Sequence, residues 1–193
     1  MSRSIDVDPA EVGRLAADFR DRIKRWDDFA RFERSTKLYP DCWATYTGYP
    51  IIARWSLERD GGPLFEEALK ALCLKAAVMH LTGDEKHAEL AIPPAVDEML
   101  HAMCAQFGLG VAIQEKLGIP VVHMTDQEEF GYTAGDLTWQ YYVAAGWGEP
   151  PVRFWLSASV VEARLAELAK LYESIGIHDN GRRHDITFTA ADA

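Results

Sequence analysis

The sequence predicts an all-α fold, or one nearly so, with five to six helices around one core and an irregular, aromatic-rich connector between the first two. Three observations carry this reading. Apolar residues recur at three- and four-residue steps in several separate segments, each long enough for at least three helical turns. Prolines and glycines stand where those segments should start and stop. Only residues 119–124, Ile-Pro-Val-Val-His-Met, are β-branched enough to be extended, and they make at most a single strand.

The first helix is expected over residues 9–32. Asp8 is placed to cap it, Pro9 suits the first turn, and Glu11 favours the positive end of the dipole. Its inner face is Val12, Leu15, Ala16, Phe19, Ile23 and Trp26. Across residues 38–60 the helical period disappears among aromatics, prolines and glycines, and the segment reads as an ordered connector. Its Trp43, Tyr46 and Trp55, with His80 beyond, are candidate ligand-binding residues. The competing reading is that these aromatics pin the connector to the core and that His80 is a core histidine.

A second helix is expected over 63–81, stopped by Gly83, followed by a polar turn over 82–89. Pro93 and Pro94 open a third, with Val96, Met99, Leu100, Met103 and Phe107 as its apolar stripe. Gly108 and Gly110 are expected to break or bend it before a last turn or two ending at Gly118. Two more helices, over 134–145 and 158–175, flank Pro150 and Pro151, which forbid continuation. The last should turn Val160, Val161, Leu165, Leu168, Leu171 and Tyr172 inward. Residues 177–193 read as a flexible polar tail, and no internal repeat is present.

With 193 residues, 48% of them hydrophobic and 26% charged, the chain reads as one globular domain over 1–193. A net charge of −10 argues against unaided binding to nucleic acid or anionic lipid. Three widely spaced cysteines, Cys42, Cys73 and Cys104, suggest neither a disulfide framework nor a zinc knuckle. With no long apolar run and no apolar leader at the start, the expected location is cytoplasmic. Nucleophile-elbow, Walker, dinucleotide-binding and HExxH motifs are all missing. Nothing in the pattern specifies an oligomeric state.

One polar cluster stands out. Asp97 and His101, four apart, stack on one helical face, so the carboxylate can orient the imidazole. Glu98, three before His101, adds an ExxH spacing of the kind that presents ligands to iron or manganese. A fold-back after the third helix would bring His123 beside His101. Two site readings follow, an acid–base set of Asp97, His101 and His123 and a mononuclear divalent-metal set of Glu98, His101 and His123. A satisfied structural pair is the alternative to both. No other cofactor is indicated. Cys104, one turn past His101, is expected to be a buried small hydrophobe, although its spacing also suits a Cys–His pair.

Three blocks carry a resemblance. Val96-Asp97-Glu98-Met99-Leu100-His101 is similar to a Val-Asp-x-x-Trp-His signature, and Gly118 with Val121-Val122-His123 to a glycine and paired-histidine block. Trp147-Gly148-Glu149-Pro150-Pro151 with Trp155 is similar to a Phe-Gly-x-x-Pro-Pro-x-x-x-Trp closing motif. Together they resemble the bacterial relatives of the plant glycine-rich domain-containing proteins, a helical family without an established general activity. Leu100 and Val122 replace the family's usual tryptophan and first histidine. The resemblance implies a helical fold more than a mechanism. The expected function is a helical accessory or interaction domain binding a small molecule or peptide, and the alternative is a small-molecule enzyme built on Asp97, His101 and His123.

Overall fold

The computed structural model describes residues 7–39, 56–123, 131–178 and 183–184. Trp43, Tyr46 and Trp55 therefore lie outside the described residues. Among the described residues the fold is helical, with eight helices and one two-residue β-ladder. The two helices beyond the expected number come from a split in the first and from a single turn formed where a polar loop was expected.

Helix α1, Pro9–Lys24, starts as its sequence predicts: the Asp8 side chain accepts from the Ala10 amide, and Val12, Ala16, Phe19 and Ile23 are buried. It stops at Arg25, and α2, Phe29–Lys37, begins after a short turn. The turn holds Asp27 and Asp28, and aspartate is among the poorer helix formers. The bend brings Phe29 and Phe32 against Phe65, with ring centroids 6.1 and 5.8 Å apart.

Helix α3, Leu57–Thr82, is the central element, packed against α1, α2 and the helices that follow. It begins a turn and a half before residue 63, where the sequence predicts its start, and runs through Gly61 and Gly62, two residues of low helical preference. A reciprocal cap overrides that local preference: Ser56 Oγ accepts from the Arg59 amide and Asp60 Oδ2 accepts from the Ser56 amide. At its other end Gly83 adopts the left-handed conformation, φ 66°, as the sequence predicts. Asp84 then caps α4, Glu85–Ala88, a single turn.

Helix α5, Pro94–Cys104, is buried along almost its whole length. It ends before the two glycines, not at them. Gln106 leaves the helical region, and its side-chain amide donates to the Ala102 carbonyl, so the chain restarts as α6, Phe107–Leu117. Gly108 and Gly110 lie inside α6 on an open face. Restarting the helix also turns Phe107 out, leaving it 78% exposed where the sequence placed it in the core. Left-handed Gly118 ends α6, and residues 119–123 run back without regular structure, burying Ile119 and Val122.

Asp136 caps α7, Leu137–Ala144, by accepting from the Trp139 amide. Helix α8, Ala158–Glu173, buries only Val161 and Leu168. Val160 and Leu171, expected inside, are exposed because the covered stripe is one residue wide per turn. Ile177–His178 pairs antiparallel with Arg183–His184, a ladder at the start of the stretch that reads as a polar tail. No helix among the described residues is long and apolar enough to cross a membrane.

One further knot holds the fold. Glu67 of α3 accepts from the Trp155 indole at 2.7 Å, the Tyr142 hydroxyl at 2.8 Å and the Lys70 ammonium at 2.8 Å. The loop after α7 is thereby tied to the central helix, and burial together with the Glu67 charge pushes the Tyr142 phenol up.

Candidate metal centre

Helix α5 sets Asp97 and His101 one turn apart on the face that meets residues 119–123. The two histidines converge: the His101 and His123 ring centroids are 4.6 Å apart. Asp97 lies between their ring nitrogens, its Oδ2 3.7 Å from His101 Nε2 and its Oδ1 3.9 Å from His123 Nε2. One ligand atom from each of the three residues falls within a 4.8 Å span, the one such group of three or more His, Cys, Asp or Glu among the described residues.

Glu98 does not join that group. On a helix it is rotated about 100° from Asp97, so its Oε2 meets the other nitrogen of His101, Nδ1, at 3.5 Å. The two carboxylates thus exchange the roles that the spacing suggested: Asp97 faces the converging nitrogens, and Glu98 stands behind the imidazole, placed to hold Nδ1–H and leave Nε2 as a donor to a metal.

Two residues that the sequence did not single out complete the surroundings. Lys75 of α3 and Glu89, just after α4, are both buried and in direct contact through Nζ and Oε2. His123 Nδ1 is 3.4 Å from Lys75 Nζ and 3.9 Å from Glu89 Oε1. Lys75 carried a legible signal, a lysine at a helical step from Leu72 within the run Leu-Cys-Leu-Lys-Ala-Ala-Val. Glu89 carried none, since one more acid in a polar turn is unremarkable.

The electrostatics favour a cation. Among the described residues, three buried carboxylates, Glu89, Asp97 and Glu98, adjoin the two histidines, beside the buried ammonium of Lys75. A divalent ion would complement a site in which carboxylates outnumber ammonium groups. Burial, the Lys75 charge and the neighbouring His101 push the His123 imidazole down to about 3, so it is neutral and able to ligate at ordinary pH. The His123 side chain is 4% exposed, and its Nε2 has no hydrogen-bond partner among the described residues. A donor atom of this kind is expected to have a partner.

A cavity of about 210 Å³ adjoins the cluster, with His123, Cys104, Val111, Gln114 and Val121 in its wall. Burial pushes the half-buried Cys104 thiol up to about 11, which disfavours the thiolate that a nucleophile needs. His80 is neither in the core nor at the site: it is exposed, with its ring edge-on to Phe19 at 5.8 Å. The histidine reading of the sequence thus divides, with His101 and His123 together and His80 apart.

The chain matches no protein-family profile, no curated protein and no solved structure. Its likeness to the glycine-rich domain-containing proteins rests on the three motif blocks alone.

Proposed function

We propose that the chain is a metal-dependent small-molecule enzyme, with Asp97, His101 and His123 holding one divalent ion and the adjoining cavity receiving the substrate. The observation that supports this best is the convergence of two imidazole nitrogens and a buried carboxylate within 4.8 Å, with His123 Nε2 lacking a hydrogen-bond partner among the described residues. Bonds of about 2.1 Å to one metal place donors roughly 3.0–3.5 Å apart, so the 4.8 Å span of the cluster must contract by roughly 1.3–1.8 Å to close on an ion.

Two histidines and a carboxylate suit zinc, iron(II) or manganese and leave coordination positions open. A metal there supplies Lewis-acid activation of water or of a bound oxygen. The chain's own residues do the rest: Glu98 orients His101, Glu89 and Lys75 flank His123, and Val111 and Val121 keep the cavity wall dry. The interaction-domain reading draws on Trp43, Tyr46 and Trp55, outside the described residues, so no geometry favours it.

The test is elemental analysis of protein purified without a histidine tag, then reloaded after chelation. About one zinc, iron or manganese per chain, lost in His123→Ala, supports the proposal. A stoichiometry that stays far below one after reloading with each of the three rejects it.

A further inference from the structure

A separate cavity of about 390 Å³ opens between α7, the loop after it and the start of α8. It shares no residue with the metal cluster. Tyr132, Trp139 and Trp155 line it together with Pro150, Leu156 and a single charged group, Glu149. Its walls are fixed from behind. The Trp155 indole is anchored on Glu67, and the Tyr132 and Trp155 rings meet edge to face, 5.1 Å between centroids at 62°. Glu149 Oε2 accepts from the Trp139 indole at 2.8 Å, which holds the carboxylate against the aromatic wall.

No basic side chain among the described residues lines this cavity. Arg153, the nearest in sequence, is engaged elsewhere, its guanidinium bonded to both oxygens of Asp60 at 2.8 and 2.7 Å. The local potential is negative: after burial itself, the charges of Asp136 and Glu149 help push the Tyr132 phenol up to about 12. An aromatic, apolar hollow with one acidic group and no cation is complementary to a positive charge wrapped in carbon. A bare metal ion or a primary amine would keep its hydration shell in preference to aromatic walls, whereas an alkylated ammonium sheds water readily and is attracted by the rings' negative faces. A carboxylate or phosphate ligand would meet Glu149.

We propose that the cavity bounded by Tyr132, Trp139, Trp155 and Glu149 is a binding site for the alkylated ammonium group of a small organic cation. The aromatic side chains surround the alkyl groups and Glu149 balances the charge.

The test uses the full chain, titrated with choline chloride and separately with 3,3-dimethyl-1-butanol, which has the same shape without the charge. Tryptophan fluorescence reports occupancy. Choline should saturate with an affinity about tenfold above that of the neutral isostere. Glu149→Gln keeps an acceptor for the Trp139 indole while removing the charge. It should weaken choline toward the level of the isostere and leave the isostere unchanged. Equal affinity for the two probes in the unaltered chain, choline binding that ignores Glu149→Gln, or no saturable binding of choline would each overturn the proposal.

Discussion

His101 and His123 come from different elements, yet their imidazoles stand 4.6 Å apart with planes inclined at 50°. That tilt is not a stacking arrangement. Through Nε2 each ring instead approaches a different oxygen of the same carboxylate, that of Asp97. Two imidazoles in this tilted geometry gain little from ring-on-ring contact, so the arrangement is best understood as donors aimed at a shared third party. The first prediction follows. Metal at about a hundred times its dissociation constant should stabilise the protein by about 2.7 kcal/mol. In thermal melts, a chelator should therefore lower the midpoint of the unaltered protein and leave that of His123→Ala unmoved.

Asp97→Asn separates a metal ligand from a structural partner by sign. A structural Asp–His pair loses about 1–3 kcal/mol when its carboxylate is neutralised. In a metal-free pocket where buried carboxylates outnumber ammonium groups, removing one negative charge should instead stabilise the chain, by a similar magnitude. Denaturant unfolding of chelated protein should thus show Asp97→Asn at or above the unaltered stability, while the same variant fails to take up metal. A clear loss of stability without metal would return Asp97 to the scaffold.

Lys75 and Glu89 are a buried ion pair, and the cost of breaking it is asymmetric. Lys75→Met leaves the Glu89 carboxylate buried without its ammonium and should cost about 3–5 kcal/mol, whereas the double variant Lys75→Met with Glu89→Leu should recover most of that. A double-mutant cycle by urea denaturation measures the coupling. Metal affinity adds a second readout: Glu89→Gln alone should weaken metal binding by about 10–100-fold, since Glu89 Oε1 lies 3.9 Å from His123 Nδ1 behind the proposed ligand.

The helical class, the caps at Asp8, Gly83 and Gly118 and the meeting of His101 with His123 were legible because they follow from local rules: periodicity, end chemistry and one fold-back. What was not legible depended on competition between local and tertiary terms. The helix expected from residue 63 starts earlier, and only the reciprocal cap of Ser56 and Asp60 shows why it runs through Gly61 and Gly62. Gly108 and Gly110 read as a break that belongs to Gln106. Asp97 and Glu98 are equivalent candidates in sequence. Which one faces the histidines is decided by the direction from which residues 119–123 return, and no local pattern records it.

Close packing of α1 on α7 rests on Gly13. A Cβ there would lie 2.4 Å from the Ala144 carbonyl carbon and 2.5 Å from the Ala145 amide nitrogen, both main-chain atoms that cannot rotate aside. Although alanine is the better helix former by about 1 kcal/mol, Gly13→Ala should destabilise the chain by about 2–3 kcal/mol because the helices must separate. Differential scanning calorimetry checks the sign. An increase in stability would mean that α1 and α7 are not in contact at this point.

Asp60 fixes how the protein responds to acid. Its buried carboxylate accepts from both Arg153 and Arg59 and from the Ser56 amide, and the Arg153 hydrogen bond first, then those of Arg59 and Ser56, hold it well below the usual carboxylate range against the opposing effect of burial. A carboxyl with a lowered value in the folded state contributes stability above its unfolded value, about 3.9. That contribution is lost as pH falls from there through the folded value. Arg153→Met removes the largest of the favourable contacts and leaves Arg59, so it should cost about 1–2 kcal/mol at neutral pH. The gap between variant and parent should narrow as pH drops below about 4, where the unfolded chain takes up the proton. Urea titrations at neutral pH and at successively lower pH measure that gap. A difference that stays constant down to the acid limit would show that Arg153 acts through packing on Phe154, which it overlies at 5.9 Å, and not through the Asp60 charge.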